Sequence, residues 1–97
     1  MILVIARLRI RRGGKARMLG HTAAMADCSR REPGCEEYTI LVPPMDEQFF
    51  VLVERWRDRA SLEAHRTSSG MAEYRAATAS LVLERLLRVY DATEVAT

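Results

Sequence analysis

The chain has 97 residues, of which 48% are hydrophobic and 29% are charged, as in ordinary globular domains. Its formal net charge is only +2, and no apolar run approaches the roughly 20 residues that a membrane-spanning helix requires. We therefore expect a single cytoplasmic domain over residues 1–97 that does not cross a membrane.

Fourteen of the fifteen basic residues are arginine, and the N-terminal part of the chain contains a group of five: Arg7, Arg9, Arg11, Arg12 and Arg17. A basic segment of this kind can attract phosphate or another anion. Acidic residues offset the basic charge later in the chain, however, and no aromatic residue is interleaved with these arginines. We therefore expect a solvated basic surface and no nucleic-acid partner.

The two cysteines, Cys28 and Cys35, form no CxxC motif and have no histidine nearby at zinc-ligand spacing. In a reducing cytosol such residues remain free thiols. We therefore expect neither a disulfide nor a metal site.

The first half of the chain is typical of a strand, a helix and a second strand. Hydrophobic residues alternate from Ile2 to Ile10, which predicts a strand that ends before Gly13-Gly14. Apolar residues at helical spacing predict a helix from Lys15 to about Arg31. Its predicted buried stripe is Ala16, Leu19, Ala23 and Ala26, widened by Met18 and Met25. Glu32-Pro33-Gly34 ends this helix, and a strand is predicted from Cys35 to Val42.

The second half begins with a loop, Pro43 to Glu47, that is too short for a crossover helix. The strand that follows, Gln48 to Arg57, is therefore expected to run antiparallel to its predecessor. Helices are predicted over Asp58 to Thr67 and from Met71 to about Leu83, the second with a face made of Met71, Tyr74, Thr78 and Leu81. The segment Glu84 to Tyr90 is compatible with helix or strand, and we predict a strand because the element order needs a closing one.

The element order β-α-β-β-α(α)-β is that of a ferredoxin-like α+β fold, with a four-stranded antiparallel sheet and helices on one face. Both faces of this sheet are nevertheless apolar, at Leu3 and Ile5 and again from Phe49 to Val53. An uncovered apolar face of that size exceeds what a monomer normally tolerates. We therefore predict a homodimer in which the same face of a second subunit covers it.

Several chemically active side chains are predicted to gather where the third strand leads into the next helix. Glu54 and Trp56 fall on one face of the strand, because strand side chains alternate. Asp58 is a favourable N-cap for the helix, and Leu62 and His65 then lie on one helical face. This corner is either a functional site or a well-filled core.

Short motifs in the chain resemble, by their order and spacing, the antibiotic biosynthesis monooxygenase family of the dimeric α/β-barrel superfamily. They are the turn Glu32-Pro33-Gly34-Cys35 with Tyr38 beyond it, the strand end Glu54-x-Trp56, and Leu62 with His65. The match extends from about Ile2 to Tyr90. The resemblance implies a ferredoxin-like homodimer whose two sheets pack into a barrel, with a pocket between the sheet and the helices of each subunit.

Members of that family with known activity oxidise quinols and polyketide-type phenols with O₂, without flavin, haem or metal. The resemblance therefore implies a cofactor-independent monooxygenase acting on a quinol or polycyclic phenolic substrate. Haem-degrading relatives share a tryptophan and a histidine with this chain but rely in addition on an asparagine in the first strand. This chain contains no asparagine, so we do not expect it to degrade haem. Two alternatives remain on the same fold. One is an isomerase or lyase of a small enolisable metabolite, and the other is a non-catalytic dimeric ligand-binding module.

The residues expected to carry this chemistry are His65 as the catalytic base and Trp56, Tyr74 and Glu54 as substrate-binding residues. Imidazole suits a base because it titrates near neutral pH, although a buried histidine can also simply hydrogen-bond a backbone carbonyl or Glu54. Trp56 and Tyr74 either wall an aromatic substrate or fill the core. Glu54 either holds His65 in one tautomer or pairs with an arginine across the dimer.

Arg7 and Arg9 have two possible roles, which depend on the face of the first strand that the helices cover. If their own face lines the pocket, they would stabilise a developing oxyanion. If it does not, they would pair with Glu54 or Glu84 at the dimer interface. The sequence leaves both roles open.

Overall fold

Four strands and three helices make up the chain, and the computed structural model describes residues 1–97. The strands are β1 (Ile2–Ile10), β2 (Cys35–Leu41), β3 (Phe49–Trp56) and β4 (Val82–Asp91). The helices are α1 (Lys15–Arg30), α2 (Arg59–Arg66) and α3 (Ser69–Thr78). None of the three helices has both the length and the hydrophobicity needed to span a membrane.

The strands form one antiparallel sheet in the order β2-β3-β1-β4. Val4 in β1 lies opposite Glu54 of β3 on one side and Val89 of β4 on the other. The ferredoxin-like α+β arrangement predicted from the element order is thereby confirmed. The prediction that the segment after α3 closes the sheet as a strand is also confirmed.

The hydrophobic core lies between the sheet and the helices. Alternate residues of each strand face it, because successive side chains point to opposite sides of a sheet. The buried strand residues are Ile2, Val4, Ala6, Leu8 and Ile10 in β1, Tyr38 in β2, and Phe50, Leu52, Glu54 and Trp56 in β3. Glu54 therefore carries a carboxyl group into an otherwise apolar layer.

The opposite face of the sheet has no helix over it and is apolar at its centre. It carries Leu3, Ile5, Val51 and Val53, together with Leu86 and Tyr90 of β4, which are 48% and 44% exposed. We call this surface the open face. Arg7 and Arg9 lie on it as well, and Arg9 Nε is 3.5 Å from Glu84 Oε2. The two arginines therefore point away from the helices, so of their two possible roles the one as oxyanion stabilisers in a pocket beneath the helices is wrong.

The buried face of α1 differs from the predicted stripe. Ala16 and Ala23 are exposed, and the buried residues are instead Met18, Thr22, Met25, Ala26 and Ser29. The polar members of this face have internal partners: Thr22 Oγ1 lies 2.9 Å from the Tyr74 hydroxyl, and Ser29 Oγ donates to the backbone carbonyl one turn earlier at 2.8 Å. A prediction based on apolar residues alone missed them because a satisfied hydroxyl can be buried at little cost.

Helix α3 ends at Thr78 rather than near Leu83. The Leu81 N–H donates to Thr78 O at 2.9 Å, and Leu81 O accepts from the Arg11 N–H at 2.7 Å, so the chain turns here toward the sheet. Val82 then pairs with Ile10 of β1. Pairing with β1 therefore replaces the extra helical turn that the sequence pattern predicted.

Candidate active site

A cavity of about 200 Å³ lies between the helix-covered face of the sheet and helices α2 and α3. Its sheet side is apolar, with Val4, Ala6, Leu8, Leu52 and Leu87. Four side chains with titratable or hydroxyl groups also line it: Tyr38, Glu54, His65 and Tyr74. An apolar cavity with a few convergent polar groups is the usual form of a small-molecule site.

A larger cleft of about 390 Å³ lies beyond Met71 and Tyr74, which line both spaces, and it runs between α1 and α3. Its wall includes the exposed residues His21 and Cys28. The most deeply buried titratable side chains face the smaller cavity instead. That cavity is therefore the candidate active site.

His65 reaches the cavity from the last turn of α2. The helix begins after Asp58, whose Oδ1 accepts a hydrogen bond from the Ser61 N–H at 2.8 Å, which confirms the predicted N-cap. Hydrogen bonds from Ser61 also hold the pKa of the Asp58 carboxyl below its usual range. The cap fixes the helical phase that buries Ser61, Leu62 and His65 on one face, and His65 is only 2% exposed.

The imidazole of His65 is oriented by Glu32, since its Nδ1 lies 2.7 Å from Glu32 Oε1. A carboxylate only accepts hydrogen bonds, so we assign the proton to Nδ1 and leave the lone pair on Nε2. Nε2 forms no hydrogen bond within the chain, and the nearest carboxylate oxygen to it is Glu54 Oε1 at 3.9 Å. His65 therefore presents a free proton acceptor at the cavity wall.

Two aromatic rings pack on the same imidazole. The Trp56 ring centroid is 4.6 Å from that of His65 with an interplanar angle of 34°, and the Tyr38 ring centroid is 5.6 Å away at 58°. These contacts restrict rotation of the imidazole about its Cβ–Cγ bond. Nδ1 is thereby kept toward Glu32.

Glu32 is absent from the residues predicted for the site, although it belongs to the Glu32-Pro33-Gly34 turn. Gly34 has φ +83°, a left-handed conformation that favours glycine. A Cβ at Gly34 would collide with the side chain of Ser61 in α2, and Gly34 O accepts from the Arg57 N–H at 2.8 Å. The turn thus packs directly against the start of α2, which brings Glu32 to His65. The signal in the sequence is an acidic residue next to a Pro-Gly turn.

Glu54 and Trp56 lie on the helix-covered face of β3, and the Trp56 Nε1–H donates to Glu54 Oε1 at 2.9 Å. Burial raises the pKa of Glu54, while the hydrogen bond from Trp56 acts in the opposite direction. Trp56 is fully buried and lies behind Glu54 and His65, not on the cavity wall. Because Glu54 faces the helices, its alternative role in an ion pair across the open face is wrong.

Two tyrosines complete the polar part of the wall. The hydroxyl of Tyr74, a predicted site residue, lies 2.9 Å from Thr22 Oγ1, and burial raises the pKa of this phenol. Tyr38 was not among the predicted site residues; it is 2% exposed, and burial together with the Glu54 carboxylate raises its pKa. Both phenols therefore stay protonated at neutral pH and can donate hydrogen bonds.

A family model described as antibiotic biosynthesis monooxygenase matches residues 1–77, which is most of the chain. The chain belongs to the antibiotic biosynthesis monooxygenase family. One relative, "Probable quinol monooxygenase YgiN" of Escherichia coli, is 31% identical over 99 residues, covering 92% of this chain and 95% of the relative. Another, "Putative monooxygenase Rv0793" of Mycobacterium tuberculosis, is 35% identical over 81 residues, covering 84% of this chain and 79% of the relative.

Solved structures of antibiotic biosynthesis monooxygenase proteins share this fold. The structure of Rv0793 superposes with a TM-score of 0.88 at 30% identity, covering 99% of this chain and 98% of that one. A Nitrosomonas europaea structure, "Putative antibiotic biosynthesis monooxygenase", superposes with a TM-score of 0.92 at 24% identity, covering 97% of this chain and 100% of that one. At that identity the second likeness supports the fold alone.

The buried carboxyl of Glu54 is expected to make the stability of this family member depend on pH. Because burial raises the pKa of Glu54 in the folded state, its stabilising contribution is fully present below the ordinary glutamate pKa and is lost as pH rises through the folded value. We expect Glu54→Gln, which cannot ionise, to gain stability relative to the wild type as pH rises from 4 to 8. Urea unfolding of both proteins across this range measures the difference.

The matched control for that experiment is Glu63→Gln, on the exposed side of α2. Glu63→Gln is expected to follow the wild type at every pH. A Glu54→Gln variant that loses stability relative to the wild type as pH rises would contradict the assignment of Glu54 as a desolvated carboxyl.

Proposed function

We propose that this family member is a monooxygenase that oxidises a hydroquinone-type phenol with O₂ and needs no bound cofactor to do so. The observation that carries the proposal is the pairing of His65 with Glu32, which leaves Nε2 of a buried imidazole at the wall of an apolar cavity. The names of two relatives, "Putative monooxygenase Rv0793" and "Probable quinol monooxygenase YgiN", support the reaction class.

In this proposal His65 is the general base. Nε2 removes a phenolic proton, which yields a phenolate that gives up an electron more readily than the neutral phenol does. The hydrogen bond from Nδ1–H to Glu32 stabilises the imidazolium as it forms. Glu54, 3.9 Å from Nε2, adds to that stabilisation when it is ionised.

The phenolate then transfers one electron to O₂, and the resulting radical pair forms a carbon–oxygen bond at the neighbouring ring carbon. The proton held by His65 converts the peroxide anion to a hydroperoxide. Nε2 then takes the proton of the ring carbon as the O–O bond breaks and a carbonyl forms, and it passes this proton to the departing hydroxide, which leaves as water. Hydroquinone and O₂ thus become hydroxybenzoquinone and water, with one oxygen atom in each product.

The cavity walls suit this chemistry in polarity and size. The apolar sheet residues exclude water from the reacting ring, and the Tyr74 hydroxyl can donate to an oxyanion while it accepts from Thr22. The volume of about 200 Å³ falls below the roughly 300–1,000 Å³ of sites for drug-sized ligands. We therefore favour a hydroquinone-sized substrate over a polycyclic phenol.

Oxygen uptake with a panel of hydroquinones and anthrones tests the proposal. We expect the purified protein, without any added cofactor, to consume O₂ above the rate of the heat-denatured control and to place one atom of isotopically labelled O₂ in the product. Uptake equal to that control with every compound would overturn the proposal. Turnover of an enolisable metabolite without O₂ would instead favour an isomerase or lyase.

We also propose that two copies of the chain associate through their open faces. The centre of this surface is apolar, and charges of both signs flank it, including Arg9 with Glu84 and Arg55 with Glu37. A two-fold axis lets each copy cover the same apolar residues of the other. A dimer removes the apolar surface from water without any helix on that side.

Sedimentation measures the proposed association. We expect the wild type to sediment at micromolar concentration with twice the 11.0 kDa mass of the chain. Val53→Asp, at the centre of the open face, is expected to sediment as a single chain, because burying an unpaired carboxylate is unfavourable. The control Ala76→Asp, on the exposed surface of α3, is expected to remain a dimer. A wild type that sediments as a single chain would refute the association.

A further inference from the structure

Three arginines from separate elements converge on the wall of the candidate active site. Arg66 closes α2, Arg75 belongs to α3 and Arg85 belongs to β4, and all three line the 200 Å³ cavity. They lie 9 or more positions apart in sequence. They are therefore not part of one local basic segment, and it is the fold that brings them together.

None of these three arginines forms an ion pair with an acidic side chain. Six of the other arginines do: Arg9, Arg12, Arg31, Arg55, Arg57 and Arg59. Their guanidinium groups form one hydrogen bond within the chain, from Arg75 Nη2 to the Arg66 carbonyl at 3.0 Å. Their remaining N–H donors are available to a ligand.

The cavity wall carries more positively charged than negatively charged residues. Its one acidic residue is Glu54, whose pKa is raised by burial. The positive charge of Arg66 opposes that effect on Glu54, and the charge of Arg85 likewise opposes the effect of burial on the pKa of Tyr74. The charges of Arg66 and Arg85 therefore act on Glu54 and Tyr74, which line the same cavity.

We propose that the substrate of this cavity is an aromatic acid, whose ring rests on the apolar sheet residues and whose carboxylate binds to Arg66, Arg75 and Arg85. This inference rests on the proposed function only in taking the cavity as the substrate site. Guanidinium groups bind planar carboxylates through paired N–H···O bonds, and each charge-assisted bond is stronger than a neutral one. A neutral quinol would form none of these charge-assisted bonds with the three arginines.

The inference is tested by binding, measured separately from turnover. Calorimetry under argon compares 2,5-dihydroxybenzoate with 2,5-dihydroxybenzamide, which has the same ring and hydroxyl groups but no charge. We expect the wild type to bind the acid about tenfold or more tightly than the amide, with a preference that shrinks as salt is added. Arg66→Gln, Arg75→Gln and Arg85→Gln are each expected to weaken binding of the acid and to leave binding of the amide nearly unchanged.

Arg17→Gln is the matched control, because Arg17 is an exposed, unpaired arginine of α1 that does not line the cavity. It is expected to keep the full preference for the acid, and thermal unfolding of every variant verifies that it is folded. Equal affinity of the wild type for acid and amide, or no detectable binding of either at millimolar concentration, would overturn the inference. Preferential binding of the acid without O₂ uptake would leave it standing while the proposed oxygenation fails.

Discussion

We expect His65→Gln to lower kcat/KM for quinol-dependent O₂ uptake by about 10²–10⁴-fold, the usual contribution of a positioned general base. Glutamine is close to histidine in size but cannot accept the phenolic proton. His65 is the one imidazole on the cavity wall, and its Nδ1 is already bonded to Glu32 at 2.7 Å. Initial rates of O₂ consumption at several substrate concentrations measure the loss and separate kcat from KM.

The other histidine supplies the matched control for this substitution. His21 is exposed on α1 and lies outside the 200 Å³ cavity, so His21→Gln is expected to retain wild-type rates. Glu32→Gln is expected to reduce the rate by less than His65→Gln and to have no further effect when the two are combined, because Glu32 acts through His65. Equal O₂ uptake by wild type and His65→Gln would show that His65 is not the base.

The largest expected loss of stability comes from Trp56→Ala, at about 3–5 kcal/mol. Trp56 is fully buried, packs on the His65 ring at 4.6 Å and donates its indole N–H to Glu54. Alanine would leave a large cavity in the core and a buried carboxyl without its donor. For a domain of this size the loss corresponds to a fall in Tm of at least ~12 °C, which calorimetry or thermal unfolding followed by circular dichroism measures.

Trp56→Phe separates the two contributions of the indole ring. Phenylalanine keeps most of the buried aromatic surface but lacks the N–H and part of the larger indole ring, so we expect it to cost about 1–3 kcal/mol. If Trp56→Ala were to cost less than about 1 kcal/mol, Trp56 would not have the structural role that its burial implies. Trp56 contacts Glu54 and His65, which line the cavity, but does not line it itself, and its substrate-binding role stays a prediction.

The parts of the site that could be predicted from sequence are those that depend on local geometry. Alternation within β3 puts Glu54 and Trp56 on one face, and the N-cap Asp58 sets the phase that buries His65. His65, Glu54 and Tyr74 then line one cavity. Each of these placements follows from the positions of a few neighbouring residues along a single element.

The partner of His65 could not be obtained in this way. Glu32 is 33 positions from His65, and the two meet only because the turn at Gly34 packs against the start of α2. A helical pattern likewise could not show that the hydroxyls of Thr22 and Ser29 are buried on α1. Those hydroxyls are satisfied by contacts, Thr22 with Tyr74 and Ser29 with its own helix, that apolar periodicity does not record.

The sequence by itself determined the strand and helix order and the ferredoxin-like sheet, because periodicity and turn chemistry are local properties. The order and spacing of its short motifs carried the resemblance to the antibiotic biosynthesis monooxygenase family. Only the tertiary structure decided the contents of the site. It placed Arg7 and Arg9 on the open face, removed Trp56 from the cavity wall, and brought Glu32 to His65. It also gathered Arg66, Arg75 and Arg85 around the same cavity. The physical reason is that contacts between distant elements depend on how helices dock on the sheet, which no single stretch of sequence specifies.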